Sequence, residues 1–200
     1  MPVNSDTSRL ETFSDGVFAI AITLLGLELK MPSPAQSDKI GLGHALLQQW
    51  TVYAAFITSF FIILVIWKVH HETFKLIHKM NTPLFFANGM LLFCITIIPF
   101  NTNIVADYFN TDHRTTAAMI YALVSFPVGL SFVALLNVMI RHADVRKPNV
   151  EVKRLKAWLK RLWITSIFFA ASFLVVFISP SISLCIIFCA ALYWSLAKTY

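Results

Sequence analysis

Residues 9–29 read RLETFSDGVFAIAITLLGLEL. The run from Gly16 to Leu27 is apolar enough for lipid. Yet it is entered through Arg9, Glu11, Ser14 and Asp15 and left through Glu28. Helices that merely face lipid avoid carboxylates at such positions, whereas helices that line a path or anchor a site use them. At about 100° per residue, Ile20, Leu24 and Leu27 fall about 140°, 180° and 120° from Asp15, with Thr23 at about 80°. One helix therefore offers an apolar ridge on one side and a polar anchor on the other. Ordinary helix packing is the plain alternative for the ridge.

The rest of the chain agrees with a membrane setting. Of 200 residues, 58% are hydrophobic and 13% charged, and the mean hydropathy is +0.71. A soluble domain of this length carries far more surface charge. The fold class expected is all-α: a polytopic membrane protein forming a single domain over residues 1–200. Six apolar segments are expected, at about 13–29, 47–67, 83–99, 116–140, 162–178 and, after a tight turn SPS at 179–181, a sixth ending near Ala197; segments of about 17 to 25 residues span hydrocarbon at about 1.5 Å per residue. Between them, 30–46 reads as a loop, 68–82 as a basic turn and 101–115 as a polar connection. Pro127 and Gly129 mark a bend in the fourth segment. The stretch VEVKRLKAWLKRL at 150–162 reads as a basic amphipathic helix lying on the inner leaflet ahead of the fifth span. The first ten residues, MPVNSDTSRL, have neither a basic start nor an apolar core, so no cleavable signal peptide is expected.

Orientation follows from the cations. Thirteen Lys and Arg, Lys198 among them, fall on the side of the N-terminus, and three (Lys30, Lys39 and Arg114) on the other. The positive-inside rule then puts both termini in the cytoplasm of a multi-pass protein of the plasma or inner membrane. The same count explains the net charge of +6 without nucleic acid, because the cations sit in short loops beside anionic headgroups. Cys94, Cys185 and Cys189 lie in apolar runs and read as small core residues; along one helix, Cys185 and Cys189 cannot bridge.

An unpaired carboxylate in low dielectric is costly. Arg9 is six residues from Asp15, so a straight helix does not pair them. Trp67, His70 and His71 lie at the same side of the membrane, and a polar cluster locking the first two spans together is expected there. Asn88, Asn101 and Asn137 read as interhelical hydrogen-bond donors.

These residues carry a resemblance. Arg9, Phe13, Ser14 and Asp15 stand as an Arg, three residues, then Phe-Ser-Asp at the opening of the first helix. This resembles the signature of the transmembrane protein 175 family of potassium channels in its prokaryotic form. WKVHH after the second span and NGMLLFCITIIPF in the third are similar more weakly. The resemblance implies a homotetramer with a central pore lined by the first helix, six spans per subunit, and neither a re-entrant pore loop nor a TVGYG filter. It puts the constriction on Ile20, further apolar rings on Leu24 and Leu27, and a threonine layer on Thr23. Arg9, Phe13, Ser14 and Asp15 would hold the pore helix in register. The function implied is a potassium-selective cation channel with a hydrophobic gate. Potassium would be its only ligand, with no cofactor and no metal site. Glu28 at the mouth either concentrates cations or is a screened surface carboxylate.

Two other classes compete. A membrane enzyme would rest on HHETF, but adjacent His residues point about 100° apart on a helix and do not form a two-ligand face. His71 and His78 share a face only with Lys75 between them. A proton- or cation-coupled transporter would use Asp15 and Glu28, yet no acidic residue sits mid-span.

Overall fold

The computed structural model describes residues 5–197; Lys198, counted among the cations above, lies outside them. Among the described residues eight helices follow one another: α1 (Ser5–Leu27), α2 (Pro34–Ile40), α3 (Leu42–Gln48), α4 (Trp50–Phe74), α5 (Thr82–Tyr108), α6 (Arg114–Arg141), α7 (Val152–Val175) and α8 (Pro180–Leu196). Among the described residues there is no strand, only an isolated bridge between Ile77 and Arg146. The chain is all-α. Five helices (α1 from Thr7, α4, α5, α6 and α7) are long and apolar enough to cross a membrane, and α8 is a shorter apolar helix of 17 residues.

The helix starts follow local chemistry. Asn81 caps α5, its side-chain oxygen accepting from Leu84 N at 2.9 Å, with a proline in the first turn. Ser179 caps α8 in the same way, again ahead of a proline. These side chains satisfy backbone donors that the helix leaves unpaired, and Pro lacks the donor that would be lost.

Several boundaries differ from the reading of the sequence. The expected loop at 30–46 contains α2 and α3. Ser33 caps α2, and Gly41, at φ 81°, separates the two short helices. The expected basic turn after Trp67 is helix as far as Phe74, so His70 and His71 belong to α4. Pro99 does not end its segment: α5 runs through it to Tyr108. A membrane helix tolerates Pro because neighbours and Ser/Thr side chains compensate the freed carbonyl. The amphipathic stretch at 150–162 is no separate surface helix. It is the first half of an unbroken α7, and Leu155, Trp158 and Leu162 are buried in the main core. Cys94 is buried as expected, whereas Cys185 and Cys189 are exposed.

In the packing order, α1 lies on α4 and α5, α5 lies on α6, and α6, α7 and α8 pack together with α4 touching α8. One large apolar cluster joins α1, α4, α5, α6 and α7, and a second fills the space between α4, α5, α6 and α8. At one end, the segments after α4 and α6 are tied together. Val145 O accepts from His78 N (2.7 Å) and Lys147 N donates to Leu76 O (2.9 Å). Arg146 Nη1 donates to Met139 O (2.9 Å) and Ile140 O (3.3 Å) at the end of α6. At the other end, Lys30 Nζ reaches Asp107 Oδ2 (3.0 Å) and Asn103 Oδ1 (3.3 Å), fixing the exit of α1 to α5.

The α6–α7 crossing depends on Gly129, where an added Cβ would stand 2.6 Å from Ser166 Oγ. Small residues at such crossings let helices approach closely. Gly129→Ala should therefore lower the melting temperature of the detergent-solubilised protein, at an overpacking cost of about 1–3 kcal/mol. Adding Ser166→Ala should restore most of the loss; an unchanged melting temperature in the single variant would show that the crossing yields freely.

Candidate ion pathway and its supporting polar network

The two faces of α1 differ sharply. Leu10, Ser14, Phe18, Ala21 and Leu25 are buried against the neighbouring helices. On the opposite side Ile20 is 61%, Leu24 40% and Leu27 76% exposed, and Thr23 beside them is exposed as well. The helix thus presents an apolar ridge with a hydroxyl on its flank to nothing within the chain. Thr23 Oγ1 donates to Ile20 O at 2.9 Å. Its proton is spent on the helix backbone, so the oxygen turns lone pairs outward, as an acceptor for a cation.

The buried face is held by polar contacts at its entry. Trp67 Nε1 of α4 donates to Asp15 Oδ1 at 2.9 Å. Asn88 Nδ2 of α5 donates to Ser14 Oγ at 3.0 Å, and Ser14 Oγ donates to Leu10 O at 2.8 Å. With the Asn88 nitrogen committed as donor, its Oδ1 is left to accept from His70 Nε2 at 2.9 Å. The direction of the chain runs from His70 through Asn88 and Ser14 to the backbone of α1. The His70 ring is fully buried and packs 5.3 Å from Phe18 and 4.2 Å from Phe74, centroid to centroid. His71 stacks on Trp67 at 5.7 Å, and its Nδ1 lies 3.6 Å from Glu11 Oε1, an ion pair when the ring is protonated.

The residues singled out in the sequence divide accordingly. Ser14, Asp15, Trp67, His70 and His71 meet around the buried face of α1. Arg9 and Phe13 do not join them; both are exposed, and Phe13 is 63% accessible. Ile20, Thr23, Leu24 and Leu27 share the open face. The expected lock between the first two spans is in fact three-sided, because α5 supplies Asn88 at its centre. Glu11 also joins it, beside His71. The available signal was an Asn inside the apolar run NGMLLFCITIIPF, since a buried carboxamide needs partners. Asn137 bonds within its own helix, to Val133 O at 2.9 Å, rather than across helices. Glu28 is half-buried at the exit of α1. Among the described residues, no group of three His, Cys, Asp or Glu side chains is placed to hold a metal ion.

Fold and network together define an all-helical membrane bundle built around one helix with an open apolar face. The family model described as the endosomal/lysosomal potassium channel TMEM175 matches residues 9–99. A potassium channel of Chamaesiphon minutus is 36% identical over 98% of this chain and 96% of its own. One from Streptomyces collinus is 34% identical over 95% of this chain and 92% of its own. The crystal structure of a lysosomal potassium-selective channel TMEM175 homolog from Chamaesiphon minutus superposes with a TM-score of 0.85, at 36% identity over 96% of this chain and 98% of that one. The chain belongs to the TMEM175 family. These relatives are ion channels, which removes the enzyme reading of HHETF.

If the Trp67–Asp15 bond orients α1, Trp67→Phe should cost about 1–3 kcal/mol of stability by stranding the carboxylate. Asp15→Leu added to it should recover much of that loss, because replacing both partners by apolar groups removes the stranded charge. Thermal melts of the two single variants and the double variant give the coupling; strictly additive losses would contradict an orienting bond.

Proposed function

We propose that the protein is a potassium-selective cation channel, a homotetramer in which four copies of α1 surround a central pore. The observation that carries this reading is the open face of α1. An apolar ridge with an outward-facing threonine oxygen, on a helix held firmly from behind, is what a pore-lining helix needs. A permeation role for that face is also in keeping with the relatives' names, which include potassium channels.

In this reading Ile20 forms the constriction, Leu24 and Leu27 form further apolar rings, and Thr23 forms a layer of oxygens between them. A narrow ring of four isoleucines blocks ions when dry and, when open, makes them shed part of their water. Potassium holds its water less tightly than sodium, so partial dehydration favours potassium. Thr23 oxygens replace some of the lost hydration. The subunit has six spans, counting α8, and no re-entrant pore loop. Its ends face the cytoplasm of the plasma or inner membrane, in accord with the thirteen cations on that side. Ser14, Asp15, Trp67, His70 and His71 hold the pore helix in register. Arg9 and Phe13, exposed on the single chain, would face the neighbouring subunit. Potassium is the permeant ion, and no cofactor takes part.

The test is the reversal potential of purified protein in a planar bilayer, with potassium on one side and sodium on the other, for wild type and Ile20→Asn. The expected result is a potassium-favouring potential in the wild type and a larger, less selective current in the variant. A selective current untouched by Ile20→Asn would move the filter to Thr23. No current from folded, tetrameric protein would overturn the channel reading in favour of a coupled transporter.

A further inference from the structure

Helices α7 and α8 leave an open groove of about 530 Å³ between them. Its α7 wall is Arg161, Ile164, Thr165 and Phe168, a stripe at helical spacing. On α8 it meets Cys185, Cys189 and Ala190, side chains too small to close the space. Thr165 Oγ1 is already engaged: it donates to Arg161 O at 3.0 Å and accepts from Trp194 Nε1 at 3.0 Å. The second bond fixes the register of the pair. Tyr193 therefore stands at the Arg161 end of the groove and Ile182 at the other. From Ile182 to Tyr193 a helix rises about 16 Å, close to one leaflet of a hydrocarbon core about 30 Å thick.

Charge is confined to one end. Arg161, half-buried, is the last charged residue of α7, and α8 has none. Lys153, Arg154, Lys156 and Lys160 precede it, all exposed. Arg154 is seven residues earlier, hence about 20° from Arg161 around the helix, with the small Ala157 between them. Over 151–161 these five cations meet a single acid, Glu151, whose Oε2 lies 3.3 Å from Arg154 Nε.

An occupant thus meets an apolar wall one leaflet long and a cationic end. An acyl chain fits the wall. A zwitterionic headgroup would bring its own cation to the basic end, whereas basic pockets beside membrane helices take anionic headgroups. The guanidinium fork pairs phosphate oxygens two at a time. The groove is also set apart from the candidate pathway, since α1 packs on α4 and α5.

We propose that the α7–α8 groove binds one anionic phospholipid from the leaflet at the basic end of α7. An acyl chain lies along Ile164, Phe168 and Cys189, the phosphate pairs with Arg161, and the headgroup extends toward Arg154.

The test uses the full-length protein in dioleoylphosphatidylcholine vesicles. These carry a phosphatidylglycerol or a phosphatidylcholine probe with a photoactivatable diazirine on one acyl chain, and labelled residues are mapped by mass spectrometry. The phosphatidylglycerol probe should label Phe168 and Cys189 in a saturable way, and the phosphatidylcholine probe far less. Arg161→Gln should raise the phosphatidylglycerol fraction at half-saturation about tenfold. Cys189→Phe, which fills the groove and leaves Arg161 in place, should abolish labelling of Phe168; it decides the matter if Arg161→Gln fails to fold. Equal labelling by the two probes would overturn the proposal, as would unchanged half-saturation in Arg161→Gln or unchanged labelling of Phe168 in Cys189→Phe. So would a groove that neither probe reaches, the result if a second copy of the chain covers it. Loss of the label on adding inorganic phosphate would likewise overturn it, by making the free anion the ligand.

Discussion

The structure depends on how α1 is prevented from turning. An apolar helix in an apolar bundle has little to fix its rotation, because lipid solvates its side chains about as well as other helices do. Here two polar residues near its entry, Ser14 and Asp15, meet partners on two different helices: Asn88 on α5 and Trp67 on α4. Interhelical bonds in membranes add only about 0.6 kcal/mol each on average. Stranding their groups costs more, about 1–3 kcal/mol. The network therefore acts chiefly through what misorientation would lose. Turning α1 by one residue, about 100°, would pull Asp15 off Trp67 and swing the Ile20 ridge toward its neighbours.

The remaining architecture supports that constraint. His70 supplies the far end of the Asn88 chain and is wedged between Phe18 and Phe74, so the polar relay is embedded in aromatic packing. The close Gly129–Ser166 approach brings α7 against α6, and α6 in turn backs α5. Lys30 fixes the opposite end of α1 to α5 through Asp107. The helix is thus fastened at both ends along one side, and its other side is open.

Much of this was legible in residues 9–29. The periodicity of Ile20, Leu24 and Leu27 against Asp15 separates the two faces of α1, because a helical period converts spacing directly into direction. The need of a carboxylate for a partner pointed to Trp67. What escaped the sequence was mostly tertiary. Asn88 reads as an interhelical donor, and it is one, but only the packing of α5 on α1 makes it the centre of the network. Helix ends depart from the sequence reading where the bundle overrides a local rule. Pro99 reads as a stop in water but not within a bundle, and the charged start of α7 reads as a surface helix until Trp158 and Leu162 are seen in the core. Exposed Cys185 and Cys189 read as buried for a related reason: in a membrane protein, apolar sequence does not separate the core from the lipid-facing surface.

The most direct measurement of the central claim is accessibility along α1 in a conducting bilayer. On a background with Cys94, Cys185 and Cys189 replaced by alanine, single cysteines would be placed at Ile20, Leu24, Ala21 and Leu25. Each would be challenged with a water-soluble thiol reagent during current recording. Block is expected at Ile20→Cys and Leu24→Cys and none at Ala21→Cys or Leu25→Cys, whose native side chains are buried behind the helix. Block at Ala21→Cys and Leu25→Cys, with Ile20→Cys silent, would mean that α1 turns its other face to the ions.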